Sequence, residues 1–336
     1  MVYDPNGLRP FNGDIRWDRP SARSIDRKNR VFTTTLYVLN KLRSAGRSLD
    51  ALNGSWHYAK ELPTEMLQDL LAECLSCSLD INSGMDIHTL ESYMEELHKR
   101  PDADEKKLFQ LEWRFVPLIR HHTSKPIVRL LFEKLQNDPE LFVELLTFLY
   151  RPEHEKDADE AENVSEEETN IKKNNALRAF YLLREWDTIP GVDKSGLIQP
   201  NVLRAWVDKA IKIGKERDRE KFVYFQLGEL FAKYPEFKDN PHWPPYEIFA
   251  VMEDLNSDDL YHNYNIAMFN KRGMTSRGGY EGGDIERGNA EYFDDLRKKC
   301  LPLYPHVAKV FEDLSTQYIG MAKKMDDEAT IAKLDY

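Results

Sequence analysis

The sequence is short of cysteine and of long apolar runs, and each shortage excludes a class of protein. Three cysteines among 336 residues are too few, and odd in number, for a disulfide framework. No apolar run approaches the roughly 20 residues that cross a bilayer, and the best candidates, Val31–Leu39 and Leu141–Tyr150, are shorter and contain polar residues. The first residues lack the basic and then apolar pattern of a signal peptide. These absences predict a cytoplasmic protein that does not enter a membrane.

The sequence also lacks the motifs of the common catalytic and metal sites. It has no G-x-x-x-x-G-K-[ST] loop, no G-x-S-x-G elbow, no kinase motif set and no H-E-x-x-H helix. Cys74 and Cys77 form a C-x-x-C pair inside a helical pattern, but no second pair completes a zinc site, because Cys300 is far away in sequence. We therefore expect no metal, no cofactor and no catalytic residue, and the sequence favours a non-catalytic protein.

The net charge of −11 is concentrated in one segment. Between Pro152 and Asn170 there are nine acidic residues and one lysine, a local balance of −8 that leaves about −3 for the rest of the chain. No cluster of lysine and arginine of the kind that binds nucleic acid is present. We expect a protein partner rather than a nucleic acid, and the sequence leaves the oligomeric state open.

Apolar residues recur with helical spacing through most of the chain from Pro63 onward. The longest such stripe follows one face for five turns, at Leu303, Val307, Val310, Phe311, Leu314, Tyr318 and Met321. The pattern predicts an all-α protein of ten to twelve helices, with Trp113, Trp186 and Trp206 in its core. Short connections favour an irregular array of antiparallel helix pairs, either an α-α superhelix of the HEAT type or a bundle. No repeat of fixed length is visible.

Composition divides the chain into four parts. Residues 1–54 are rich in Pro, Gly, Asn and Arg, which predicts an irregular N-terminal arm with one helix around Thr34–Ser44. Residues 55–150 form a first helical subdomain. Residues 151–170 are acidic and poor in apolar residues, which predicts a flexible linker. Residues 171–336 form a second helical subdomain.

The most unusual segment, residues 271–288, combines glycine and arginine. Six glycines and three arginines fall between Arg272 and Gly288, and a helix is predicted to follow. A glycine loop before a helix can present backbone N–H groups to an anion, and arginines add charge-assisted contacts. The residues that would bind an anion or a partner are Arg272, Gly273, Arg277, Gly278, Gly282, Gly283 and Arg287.

Two features of the same segment favour a structural role. No strand precedes the glycines, so the dinucleotide-binding pattern is incomplete. Glu281, Asp284 and Glu286 lie where the anion would bind, and they would satisfy the helix N-terminus themselves. On this interpretation the glycines let two helices approach closely. A packed loop would support it, whereas convergence of Arg272, Arg277 and Glu281 on a pocket would support a ligand site.

Trp243 is a second candidate contact residue. It lies among prolines, in His242-Trp243-Pro244-Pro245-Tyr246, and not on a periodic helical face. A tryptophan in such a setting can form an exposed recognition edge.

Several segments resemble a region of large bacterial proteins whose activity is poorly characterised. These segments are Leu111–Leu118, Pro139–Arg151, Trp243-Pro244-Pro245, Arg272–Gly278 and Gly282-Gly283-Asp284. The resemblance covers roughly residues 60–325 and not the first 54 residues. In those proteins the region resembles a C-terminal helical scaffold behind other domains, and some belong to defence or addiction-type loci. The resemblance implies no catalytic residues, and it makes this chain a candidate for a split or truncated version.

Three functional hypotheses follow. The leading one is a helical scaffold that binds a protein through a groove between helix pairs. The resemblance implies that it is a non-catalytic part of a bacterial multi-domain or multi-chain system, with defence as one setting. The second is an anion-binding or small-ligand-binding protein, or an unusual enzyme, that uses residues 271–288. The third is an acidic antitoxin or inhibitor whose run of carboxylates covers a basic partner.

Overall fold

The computed structural model describes residues 22–76, 87–118, 128–154, 165–236, 241–273, 276, 278 and 281–334. Within these ranges the regular elements are helical, and the single β-bridge joins Val192 to Ile198. The all-α prediction is confirmed, although the predicted ten to twelve helices are slightly too few. The helices are α1 Ala22–Ser44, α2 Ser48–Gly54, α3 Thr64–Ser76, α4 Ile87–His98, α5 Glu105–Phe115, α6 Leu130–Asn137, α7 Pro139–Leu149, α8 Glu166–Glu185, α9 Pro200–Glu216, α10 Glu220–Ala232, α11 Tyr246–Leu255, α12 Asp258–Lys271, α13 Asp284–Cys300 and α14 Pro305–Leu334.

The chain divides into two compact units, Met1–Leu108 and Phe109–Tyr336. The division lies within α5 and not at the acidic run, where the composition had placed it. Residues 155–164 of that run lie outside the described residues, and its last residues already belong to α8. Ser165 begins this helix with a capping box, in which its hydroxyl accepts from the N–H of Glu168 and the Glu168 carboxylate accepts from the N–H of Ser165.

The first unit differs from the predicted irregular arm, because residues 22–54 contain α1 and α2. The sequence predicts one helix here, around Thr34–Ser44, whereas α1 begins at Ala22, and its Leu39 is buried. Arg43 of the same helix forms an ion pair with Glu73 of α3, at 2.5 Å between Nη2 and Oε1. This ion pair attaches α1 to α3.

The second unit has one core that runs from α6 to α14. Phe142 lies between two of the tryptophans that the sequence placed in the core, with ring centroids 5.9 Å from Trp186 and 5.1 Å from Trp206. Both indoles are buried, and Trp113 packs against the same core. No helix in the described ranges is both long enough and apolar enough to span a membrane.

Several helix ends are capped by side chains from other helices. The buried carboxylate of Glu112 on α5 accepts from the backbone N–H groups of Arg129, Leu130 and Leu131 at the start of α6, at 2.9–3.0 Å. Glu253 of α11 accepts from the N–H groups of His306 and Val307 at the start of α14. A helix N-terminus leaves N–H groups without internal partners and carries partial positive charge. Glu112 and Glu253 therefore each join two helices.

Helices α10 and α12 approach each other closely because of Gly228. A Cβ at this position would lie 2.5 Å from the carbonyl oxygen of Leu260 and 2.8 Å from the backbone nitrogen of Tyr264. Both atoms belong to the backbone of α12 and cannot move aside by a side-chain rotation. The glycine thus sets the distance between the two helices that form the groove described below.

Candidate functional site

The first arginine of the glycine–arginine segment is bound inside the protein. Arg272 follows α12, and its Nη2 lies 2.8 Å from Oε1 of Glu286 on α13. The Glu286 side chain has no exposed surface, and the Arg272 guanidinium lies 5.8 Å from the ring centroid of Tyr318 on α14. This ion pair joins the end of one helix to the start of the next and leaves the guanidinium mostly covered.

The glycines before α13 serve the close approach of two helices. Gly283 is the N-cap residue of α13, and a Cβ on it would overlap the backbone of Ala322 on α14. Its N–H donates to Oδ1 of Asp326 at 2.9 Å. The position that the sequence offered to an anion is therefore occupied by a carboxylate of the chain itself, from a residue 43 positions further on.

Arg287 is engaged by the same carboxylate. Its Nη1 lies 2.7 Å from Oδ2 of Asp326, and its Nη2 pairs with Asp284. Hydrogen bonds from Arg287 and from the N–H of Gly283 hold the pKa of Asp326 below its ordinary value, and the two carboxylates raise the pKa of Arg287. The Arg287 guanidinium is thus engaged by two carboxylates of the chain itself.

Gly273 and Gly278 are two further described glycines of the segment. Gly273 has the positive φ of 70° that favours glycine, directly after α12. The N–H of Gly278 donates to Oε2 of Glu281 at 3.1 Å. Arg277, which the sequence also proposed as a contact residue, lies outside the described residues. Where the segment is described, its acidic residues bind its own N–H groups and arginines, so it resembles the packed loop of the structural interpretation.

Trp243 is buried and does not form the exposed edge that its neighbouring prolines suggested. Only 8 % of its surface is accessible, and the peptide bond to Pro244 is cis. The ammonium of Lys271 lies 5.7 Å from the centre of its ring. Lys271 in turn donates to the carbonyl oxygens of Ala232 and Tyr234 at the end of α10. The tryptophan therefore packs against a lysine that caps a helix C-terminus.

A groove that the sequence did not single out lies between α10 and α12. Its volume is about 610 Å³. Two large apolar side chains on its walls remain exposed, Phe225 by 36 % and Ile266 by 43 %. Tyr150 packs beside Phe225 with 6.4 Å between the ring centroids, which holds that side of the groove. The full lining is Asp187, Phe225, Glu229, Ala232, Lys233, Asn263, Ile266, Ala267, Asn270 and Lys271.

The two lysines of this groove are committed to the protein interior. Lys233 donates to three carbonyl oxygens at the end of α8, those of Leu183, Arg184 and Trp186, at 2.7–3.0 Å. Burial lowers the pKa of its ammonium, although Glu229, Asp187 and Glu185 oppose that shift. Burial also lowers the pKa of Lys271. The open part of the groove is therefore apolar, with carboxylates along one edge.

His154, a few residues after α7, joins the chain there to the turn between α9 and α10. His154 pairs through Nδ1 with Asp218, and its backbone N–H donates to the same carboxylate at 2.8 Å. The side-chain hydrogen bond to Asp218 raises the pKa of His154 above 6.5 and lowers that of Asp218. This contact joins the beginning of the acidic run to the start of α10.

We expect the His154 contact to be strongest in weak acid. Because the folded state raises the pKa of this imidazole, its contribution to stability is complete below pH 6.5 and is lost as the pH rises through the folded-state pKa. An NMR titration of the His154 ring protons should give a pKa above 6.5. Asp218→Asn should lower it, while Asp208→Asn on the exposed side of α9 should leave it unchanged. The same His154 pKa in the wild-type protein and in both variants would contradict the pairing.

Neither a metal-binding cluster nor a similarity to a known protein indicates the function of the site. Within the described residues, no group of three or more His, Cys, Asp or Glu side chains is placed to hold a metal ion. No family model, curated protein or solved structure matches the chain. The features that bear on function are therefore the groove and the pairing of the charged residues within the protein.

Proposed function

We propose that the chain is a helical scaffold that binds a protein partner through the groove between α10 and α12. The observation that carries this proposal is the exposure of Phe225 and Ile266 in a concave site of about 610 Å³. Large apolar side chains that remain exposed together in a groove are typical of surfaces that bind other molecules. The other large apolar side chains that are exposed do not line this groove.

The glycine–arginine segment has less support as a binding site. Both of its described arginines are paired with carboxylates of the chain, and Gly283 packs against α14. An anionic ligand would have to displace Glu286 or Asp326 from these contacts. The anion-binding alternative therefore lacks the free donors that it requires from Arg272 and Arg287.

The resemblance to helical regions of large bacterial proteins extends the proposal. On that basis the partner is another chain or domain of a bacterial system that supplies the chemistry, and the present chain positions it. Defence or addiction-type systems are the setting that the resemblance implies.

Affinity purification from cells, with quantitative mass spectrometry, tests the proposal. We expect a partner protein that co-purifies with the wild-type chain to be lost on Ile266→Glu, because a buried charge at the interface is unfavourable. Ile319→Glu is the matched control, since Ile319 is also an exposed isoleucine but lies on α14 outside this groove. Loss of the partner with both variants or with neither would contradict the proposal.

A further inference from the structure

The walls of the α10–α12 groove restrict the backbone conformation of its occupant. Both walls are α-helices whose backbone N–H and C=O groups bond within the helix. An extended segment would find no row of free backbone groups to pair with, as it would at the edge of a sheet. A helical segment satisfies its own backbone and needs only side-chain contacts. The groove therefore favours an amphipathic helix that places apolar side chains against Phe225 and Ile266.

The charges around the groove restrict the polar side of that helix. Nζ of Lys271 lies 3.5 Å from Oε1 of Glu236, and Nζ of Lys233 lies 3.8 Å from Oε1 of Glu229. The remaining lining carboxylate, Asp187, has no ion-pair partner among the described residues. Asp187 lies two residues beyond the C-terminal end of α8, and α10 also ends at the groove.

Helix C-termini carry partial negative charge, and the ammonium groups there point to backbone carbonyls instead of the open groove. Those ammonium groups offset the charge of the helix ends, so the uncompensated charge that an occupant meets at this edge is the exposed carboxylate of Asp187. A lysine or arginine beside the apolar residues of the occupant would complement it, whereas an acidic residue would be repelled.

We infer that the occupant of the groove is a basic amphipathic helix, with lysine or arginine flanking its apolar stripe. This inference rests on the proposed function and adds the chemistry of the partner. The cationic side chains meet Asp187 and Glu229, while the apolar stripe covers Phe225 and Ile266.

A model peptide tests the inference directly. We would use a fluorescein-labelled peptide of leucine and lysine at helical spacing, about 18 residues or five turns long, and a matched peptide with every lysine replaced by glutamate. Fluorescence anisotropy with the full-length chain at low salt should show binding of the lysine peptide alone. The variant Asp187→Lys/Glu229→Lys should weaken that binding by about tenfold or more, since two attractions become two repulsions.

A control separates the groove from the general acidity of the chain. Glu216→Lys/Asp327→Lys makes the same change of net charge at exposed positions on α9 and α14, and we expect it to change binding by less than about twofold, because distant exposed charges are screened. Ile266→Glu should abolish binding. Circular dichroism of each variant confirms folding.

Failure to bind the lysine peptide, binding of both peptides, or equal effects of the two charge reversals would overturn the inference. These results would leave the proposed function intact if a cellular partner were still lost on Ile266→Glu. If the lysine peptide binds at the groove but no cellular protein depends on Ile266, the proposed function alone would be contradicted.

Discussion

Glu286→Ala is expected to destabilise the protein by about 3–5 kcal/mol. Removal of one member of a buried ion pair leaves the other charge without compensation, and such changes typically cost this much. Glu286 is fully buried, and its partner Arg272 is only 16 % exposed. Chemical denaturation followed by far-UV circular dichroism would report the loss as a lower midpoint. Replacement of the whole pair, Arg272→Met/Glu286→Leu, should recover much of the stability, since apolar residues of similar volume often substitute for a buried pair.

Asp284→Ala is the matched control for this prediction. Asp284 also pairs with an arginine of the segment, Arg287, but its side chain is 91 % exposed. Exposed ion pairs contribute only about 0–1 kcal/mol. Equal losses for Glu286→Ala and Asp284→Ala would show that the Arg272 pair does not hold the helices together, and would reopen the segment as a ligand site.

Gly228→Ala is expected to separate α10 from α12. The added methyl group would meet backbone atoms of Leu260 and Tyr264 at 2.5 and 2.8 Å, so the helices themselves must move. Such overpacking typically costs about 1–3 kcal/mol, and the better helix propensity of alanine would offset only about 0.5–1 kcal/mol of it. The widened groove should also weaken any partner that depends on Ile266.

Gly320→Ala provides the comparison for Gly228→Ala. Gly320 lies within α14, and a Cβ there would have open space around it. We expect a gain of about 0.5–1 kcal/mol from the change in helix propensity. Thermal denaturation should therefore move in opposite directions for the two substitutions. A gain in both would contradict the close approach at Gly228.

The helical fold could be predicted from the sequence because apolar spacing is a local signal. The stripe from Leu303 to Met321 predicts one long helix. The helix α14 spans Pro305–Leu334, with Val307, Phe311 and Leu314 buried, and Leu303 lies just before it and is exposed. The helix α1 was only partly anticipated: the sequence predicts a helix around Thr34–Ser44, and α1 begins earlier, at Ala22. Its Arg43 pairs with Glu73 of α3, a tertiary contact that local composition does not reveal.

The partners of the charged residues could not be predicted, because they are distant in sequence. The sequence suggested that nearby acids would cap α13, but the carboxylate that binds the Gly283 N–H is Asp326 on α14. Glu286 instead pairs with Arg272. Nothing in the spacing of Asp326 distinguishes it from the other acids on that helix, so only the packing of α13 against α14 reveals its role.

The groove between α10 and α12 could not be predicted either, because its two walls are also distant in sequence. Helical spacing places Val223, Leu227, Leu230 and Phe231 on one face of α10, and all four are buried. Phe225 lies off that stripe, and Ile266 occupies a helix with apolar residues on several sides. Apolar residues that fall outside the buried face were the available signal, but their proximity to each other depends on how α10 packs against α12.

Site-specific photo-crosslinking in cells tests the central claim most directly. A benzophenone amino acid at position 266 would report on the α10–α12 groove, and the same residue at position 285, on the exposed side of α13, would report on the glycine–arginine segment. The scaffold account predicts a protein crosslink from position 266 and none from position 285. A crosslink from position 285 with none from position 266 would contradict it and place the contact at the glycine–arginine segment.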